Sequence, residues 1–340
     1  ISVEGKRPWA PDDFIVEPDR LQIRLHDGER IAVYPGGVEQ LSLRNPGLDV
    51  TNVVRGNRIG EGTFAGIYKA TLGNKTYAVK SLHSIEASEM HLRNAQHSIK
   101  NEIYYALHAR FHENVVPSYQ VWWEGGGLHI LMEYMEHSLA FLTERLGPLK
   151  EHILSHISLQ MLHGLRGLRQ DGLVHQDINA ENILIGYDGM VKLCDFGMIA
   201  VYPEFKTKKN MLNGKVPLPT PGSNDYKKWD TCSMGLMLVQ CAAGIQRHLV
   251  MSLLDQEGGV DFDPIVAKHF KGKGLKPPSD AMKDFIAKCV RMESCEDLLK
   301  HPFVTNHSTS VESTAAALES WLHVSKSQLL PPPPPPPPVS

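Results

Sequence analysis

Asp177, Asn182 and Asp195 are the residues whose types and spacing carry chemistry. They sit in His175-Gln176-Asp177-Ile178-Asn179-Ala180-Glu181-Asn182 and Cys194-Asp195-Phe196-Gly197. An acid, a nearby amide and a second acid downstream supply what is needed to hold a metal-bound triphosphate beside a hydroxyl. Magnesium takes few protein oxygens and fills its shell from phosphate and water, so one acid and one amide suffice as ligands. Taken singly, each of these residues would serve as well in an Asx turn or a helix cap. Their joint spacing favours the chemical reading.

Such residues need rigid elements to hold them. From Asn52 to Glu133 the pattern is β-rich: Val53 to Ala70 and Thr76 to Leu82 read as strands, Ser84 to His108 as a helix, and Tyr119 to Trp123 and Leu128 to Tyr134 as strands again. From Glu151 the periodicity turns helical. Ile153, Ile157, Leu159, Leu162 and Leu165 share a buried face, and Ala281 to Val290 and Cys295 to Lys300 follow late in the chain. Before residue 50, Leu21 to Leu25 and Arg30 to Tyr34 read as strands of a small extension. The chain past Phe303 is Ser/Thr-rich, with a short helix expected from Ser313 to Val324, and it ends in Pro331 to Pro338. That tract forms polyproline II at about 3.1 Å per residue and cannot join a packed core.

Composition bounds the function. A chain of 340 residues, 42% hydrophobic, buries a large core and has room for two lobes. Its formal net charge of −3 and lack of a dominant basic run argue against nucleic acid or an anionic membrane as partner. No apolar run reaches the roughly 18 residues of a membrane span. Cys194, Cys232, Cys241, Cys289 and Cys295 show no zinc-like pairing and read as free buried thiols. A chain opening on Ile1 rather than methionine is expected to be a processed or partial form.

In order, these segments resemble the protein kinase catalytic core, from Asn52 to Val304. The catalytic stretch resembles H-R-D-x-x-x-x-N followed by D-F-G, with Gln176 in place of the usual Arg. Gly60-Glu61-Gly62-Thr63-Phe64-Ala65-Gly66-Ile67 resembles the glycine-rich phosphate loop, and Tyr77-Ala78-Val79-Lys80 the strand that bears the phosphate-binding lysine. Trp229 to Gly235 resembles D-x-W-S-x-G, and Leu298 to Phe303 resembles L-L-x-H-P-F. The resemblance implies an α+β, bilobal kinase-like fold with a β-rich N-lobe over 51–135 and a mostly helical C-lobe over 136–306. Residues 1–50 would be an extension packed on the N-lobe, and 307–340 a tail.

The resemblance also implies the site. ATP and Mg²⁺ are the cofactors. Lys80 holds phosphate and is itself held by Glu102, with Glu86 and Glu89 as alternatives. Gly60, Glu61, Gly62, Thr63, Phe64 and Ala65 cover the phosphates, while Ile67, Ala78 and Leu184 enclose the base. Met132 is the gatekeeper, and Glu133 and Met135 offer backbone groups to the base edge. Asn182 and Asp195 hold the metal, Asp177 accepts or orients the hydroxyl proton of a protein substrate, and His175 is structural.

Four departures qualify this reading. Ala65 stands where the loop has its third glycine, and Asn179 where Ser/Thr kinases have Lys near the transferred group. Gln176 gives a phosphorylated activation segment nothing charged to pair with, so activity independent of that phosphorylation is expected. Ala-Pro-Glu is missing near Pro217 to Pro221, and so is the arginine that would pair with it, Met292 standing at its place beside Arg291. Together with the N-terminal extension these features also resemble the divergent rhoptry-type kinases of apicomplexan parasites. A cytoplasmic location is the default, and a secreted parasite organelle or host cell the alternative if that likeness holds. Transfer to Ser/Thr is the leading reading, a nucleotide-binding or scaffolding pseudokinase the rival. The tract Pro331 to Pro338 is a candidate ligand for polyproline-recognising domains.

Overall fold

The computed structural model describes residues 48–61, 65–83, 98, 101–102, 105–106, 111–124, 127–201, 229–245, 270, 274–291, 293–307 and 310–329, together with the backbone of 14–17, 20–24, 30–33 and 39–41. The chain divides into two compact units. The first comprises Ile1–Met135, Gly164–Asp177 and Leu193–Asn210, and the second Glu136–His163, Ile178–Lys192 and Met211–Ser340. Two segments that the sequence reading assigns to 136–306 therefore group with the first unit. For the second of them backbone bonding is a reason: Val116 N–H donates to Leu193 O at 2.9 Å, and Leu193 N–H to Asn114 O at 3.0 Å.

The first unit is built on sheets. Strands β1 (Phe14–Glu17), β2 (Arg20–Arg24) and β3 (Arg30–Val33) form an antiparallel meander. A second sheet holds β4 (Glu39–Leu41), β5 (Val54–Glu61), β6 (Ala65–Leu72), β7 (Lys75–His83), β8 (Ser118–Glu124) and β9 (Gly127–Glu133) in the order β4-β8-β9-β7-β6-β5. The extension thus lends this sheet an edge strand, with Gln40 opposite Trp122. Leu72 and Lys75 pair across a two-residue turn whose first residue, Gly73, has φ +59°. Glycine suits that position because a Cβ disfavours it.

Side chains alternate across β7, as a pleated strand requires. Val79 joins Val50, Ala70, Trp122 and Leu131 in a buried cluster. Ala78, Lys80 and Leu82 consequently point to the opposite face, so the pleat places a lysine in the interior. Of Ser84 to His108, the described residues Ser98, Asn101, Glu102, Tyr105 and Ala106 are helical. Their spacing sets Ser98, Asn101, Glu102 and Tyr105 along one side of a helix.

The second unit is mainly helical. Strand β10 (His137–Ser138) leads into α1 (Leu139–Leu146), which Ser138 caps by accepting Phe141 N–H at 3.1 Å. Helix α2 (Glu151–Gln170) follows, its last turns belonging to the first unit. Beyond it come β11 (Leu173–Val174), β12 (Ile183–Ile185), β13 (Val191–Leu193) and β14 (Ala200–Val201). Helix α3 (Trp229–Ala243) is buried nearly all round, Asp230, Thr231 and Ser233 included, and its largely apolar sequence suits that position. It packs on α4 (Asp280–Val290) at Gly235, where a Cβ would lie 2.8 Å from that of Cys289. The short α5 (Cys295–Leu298) and α6 (Pro302–Thr305) follow, His301 capping α6 with Pro302 in its first turn.

All five cysteines are free thiols. Burial pushes Cys232 up to about 11 and Cys241 up to about 12, which makes them poor nucleophiles.

The last helix, α7 (Val311–Leu329), extends past both ends of the expected Ser313 to Val324. It buries Val311, Thr314, Ala315, Leu318, Leu322 and Leu329 and packs against α1. The turn between β12 and β13 lies under it. Gln160 fixes that turn, its Nε2 donating to Gly189 O at 3.0 Å and its Oε1 accepting Val191 N–H at 2.8 Å. Gly189 has φ +76°, and a Cβ there would overlap the Ala315 carbonyl oxygen and come 2.7 Å from Glu319 N. Both a left-handed backbone and direct contact with a helix therefore require glycine.

Gly73 and Gly189 share that backbone conformation, but nothing lies within 4 Å of a Cβ on Gly73. In urea denaturation, Gly73→Ala is expected to cost about 1–2 kcal/mol, the left-handed penalty alone. Gly189→Ala should cost more, on the order of 3 kcal/mol or above, through added overpacking.

Candidate active site

Lys80 lies mid-strand in β7, opposite Ile67 on β6 and Ile130 on β9, and is 4% exposed. An ammonium at such a depth requires anionic partners. Two are present: Nζ donates to Glu102 Oε1 and, at 2.8 Å, to Asp195 Oδ1. The first unit thus joins a strand, a helix and a loop at one charge.

Two carboxylates share this single cation, and their environments drive them apart. Glu102 is 2% exposed, and burial pushes its carboxyl up to about 7, with the Asp195 charge adding to the push and Lys80 opposing it. For Asp195, Lys80 is the largest influence and holds the carboxyl well below the usual range. Burial by itself pushes Lys80 down, but the attraction of Glu102 and Asp195 prevails and raises it above an ordinary lysine. The side chain of Asp195 is 41% exposed, which leaves this ionised carboxylate open to a further ligand.

Backbone strain accompanies this geometry. Among the described residues, the only non-glycine positions with positive φ are Gln176 at 67° and Asp195 at 66°. Each costs free energy that packing must offset. Around Asp195, the Phe196 ring stacks on Tyr105 with centroids 3.5 Å apart, and the His175 ring lies 5.3 Å away on its other contact. His175 is fully buried, with Nε2 2.9 Å from Cys194 O and Nδ1 accepting Asp177 N–H at 3.3 Å. Both ring nitrogens are therefore engaged in holding loops, and Nε2 must carry the hydrogen.

The base-binding residues of the sequence reading fall in both units. Ala78 and Met132 are register partners, 5% and 6% exposed, and Met135 closes the same segment of the first unit. Glu133 N–H already donates to Pro117 O at 3.3 Å, which takes that donor away from any base edge. Gly60 and Glu61 pair with Ile67 and Gly66, and Ala65 is buried at the start of β6. The loop tip, Gly62, Thr63 and Phe64, lies outside the described residues, as do Glu86, Glu89, Met292, the activation segment over 202–228 and Pro331 to Pro338.

Leu184 and Asn182 belong to the second unit, Leu184 on β12 opposite Ser138. There Asn179 has a definite task. Its Oδ1 accepts the N–H groups of Glu181 at 2.9 Å and Asn182 at 3.1 Å, forming the turn that presents Asn182. A lysine could not accept those bonds.

Spacing did not reveal Asn101, Tyr105 or Gln160. The signal for the first two was available, since both share the helix side of Glu102.

A positioned cation, an ionised and accessible carboxylate, and an acid directly after the strained Gln176 suit phosphate and metal chemistry. The same residues lie within a stretch, 53–304, that matches the protein kinase domain. The chain belongs to the protein kinase family. It is 28% identical over 267 residues to the serine/threonine-protein kinase pakA of Talaromyces marneffei, covering 73% of this chain and 39% of that protein. It is 27% identical to the serine/threonine-protein kinase ste20 of Emericella nidulans, covering 73% and 29%. With the mitogen-activated protein kinase kinase SIPKK of Nicotiana tabacum the identity is 30%, over 56% of this chain and 57% of the relative. The chain thus spans well under two thirds of these relatives' lengths.

The donor set of this kinase domain fits the MgATP that its family implies. Among the described residues no group of three or more His, Cys, Asp or Glu side chains forms a metal cage, and magnesium bound through phosphates needs none. Asp195, held ionised and partly open, is one ligand of the required kind. Asn182 Oδ1 is of the right chemistry for a second.

Stability should report the strained charge balance. Glu102 is raised from 4.5 to about 7, so between those values the folded chain keeps a proton that the unfolded chain has released. Its contribution is full below pH 4.5 and is lost as pH rises toward 7. The melting temperature of the wild type relative to Glu102→Gln is therefore expected to fall between about pH 5 and about pH 8. A constant difference across that range would show Glu102 ionised throughout.

Proposed function

We propose that this chain transfers the γ-phosphoryl group of MgATP to a protein hydroxyl, serine or threonine. The reading is carried by the convergence of Lys80, Glu102 and Asp195, in which the lysine is charged and the aspartate ionised. When bound, MgATP supplies the phosphoryl group and the metal's neutralisation of its charge. Lys80 binds phosphate oxygen, and Glu102 fixes where the ammonium points. Asp195 and Asn182 provide metal ligands. Asp177 accepts or orients the proton of the substrate hydroxyl. Serine or threonine is preferred because the relatives pakA and ste20 are named as kinases for those residues.

Asn179 makes the enzyme slow. Without a lysine near the transferred group, the rate is lowered by roughly 10²–10³ where nothing substitutes for it. Gln176 leaves activity independent of activation-segment phosphorylation. A rhoptry-type position within the family rests on the sequence departures alone. Transfer of radiolabelled phosphate to a generic protein substrate tests the activity, with Asp195→Ala and Asp177→Asn expected to fall to background and phosphatase treatment to leave the wild type unchanged. Incorporation by the wild type no greater than by Asp195→Ala would replace the enzyme with a nucleotide-binding or scaffolding pseudokinase.

The tract Pro331 to Pro338 is proposed as a ligand for a polyproline-recognising domain, because a preformed polyproline II helix loses little entropy on binding. Arrays of such domains should retain the full chain and release a version ending at Leu329. Equal retention of both would refute the assignment.

A further inference from the structure

Asn101 lies immediately before Glu102 and is fully buried. Its Nδ2 donates to Gly197 O at 2.8 Å, while its Oδ1, equally buried, has no hydrogen-bond partner among the described residues. An orphaned acceptor inside a protein carries a desolvation penalty. Leucine has the same branched heavy-atom skeleton and would bring no such penalty. What the amide provides and leucine cannot is the N–H donor, which marks that single bond as the reason for a polar group here.

The acceptor is informative. Gly197 ends the Asp195-Phe196-Gly197 turn, and its N–H donates back to Asp195 Oδ1 at 3.3 Å. Asn101 therefore grips the far end of the turn that carries the ionised carboxylate. The helix comes close at this point, and a Cβ on Gly197 would collide with Ser98 Oγ. One turn along, Tyr105 stacks on Phe196. Glu102 and Asp195 are tied together through Lys80 and by a hydrogen bond between their own carboxyls, all of it at the side-chain tips. Asn101 ties the helix to the turn directly, backbone to side chain.

We infer that Asn101 is a positioning residue, whose N–H bond to Gly197 O holds the Asp195 turn in register with the helix so that Asp195 and Glu102 meet Lys80 together. Tyr105 and Phe196 alone would permit sliding, since stacked rings resist it weakly, whereas a hydrogen bond has a defined length and direction. The strained φ of 66° at Asp195 is thereby fixed from outside the turn. The catalytic consequence rests on the kinase reading above; the structural one does not.

Asn101→Leu in the full chain separates the two. It removes the orphaned oxygen but takes the donor from Gly197 O, so one unpaired acceptor replaces another and the melting temperature should stay within about 4 °C of wild type. Hydrogen exchange of the 195–199 amides in metal-free, nucleotide-free protein should nevertheless quicken, about tenfold. In turnover, kcat should fall about tenfold and the magnesium concentration for half activity rise several-fold, with KM for ATP moved less than about threefold. Asn101→Asp keeps the shape but turns an acceptor toward the Gly197 carbonyl, and should exchange faster still.

Should Asn101→Leu fail to fold, the same comparison is made with Asn101→Ser, whose hydroxyl is too short to reach. Wild-type exchange in a folded variant overturns the inference, as does slowed turnover with unchanged exchange, because the amide would then act elsewhere. A wild type with no transfer above Asp195→Ala would remove the kinase reading and leave the exchange result to decide the latch.

Discussion

An ammonium buried to 4% exposure needs compensation, and the rest of the first unit is arranged to supply it. Charge in an apolar interior is costly unless paired and hydrogen-bonded. Lys80 is there because strand β7 alternates, and Val79 has claimed the opposite face for the Val50, Ala70, Trp122 and Leu131 cluster. Its partners come from a helix and from a loop more than a hundred residues away. One cation thereby couples three elements that secondary structure alone would leave independent. The same arrangement leaves an excess of negative charge. The cost falls on the sealed Glu102, whose carboxyl is pushed up to about 7, and spares Asp195, whose ionised and partly open side chain suits a metal.

Holding that loop takes more than charge. Gln176 and Asp195 both have left-handed backbones without being glycine. Tyr105, Phe196 and His175 pack between and around them, and His175 uses both nitrogens to bind the loops on either side. Strain of this kind persists only where the surroundings over-determine it. Here aromatic stacking, two hydrogen bonds from one histidine and the amide of Asn101 do so.

In the second unit the corresponding problem is to hold Asn182 and the β12–β13 hairpin. Asn179 forms the turn before Asn182 with its side-chain oxygen, so the residue that departs from the family pattern has a local structural use. Gln160 and α7 then fix the hairpin at Gly189 from two sides. The chain beyond Phe303, which by composition resembles a tail, contributes a helix with a continuous buried stripe to this unit.

The family, the alternation of elements and the identity of the charged residues were all legible in the sequence. Strand periodicity marks β5 to β9 within a few residues, and the order Lys80, Asp177, Asn182, Asp195 is itself the motif. Local patterns are enough for this because pleat and helix periods are imposed by backbone geometry. Other features depended on distant partners. That α7 docks, that Gly189 admits no side chain, that Asn179 serves a turn and that Asn101 reaches Gly197 are matters of what lies against each residue, which no neighbouring residue specifies. The charge states follow the same division. Sequence names two acids and a lysine, whereas only burial and proximity decide which acid keeps its proton.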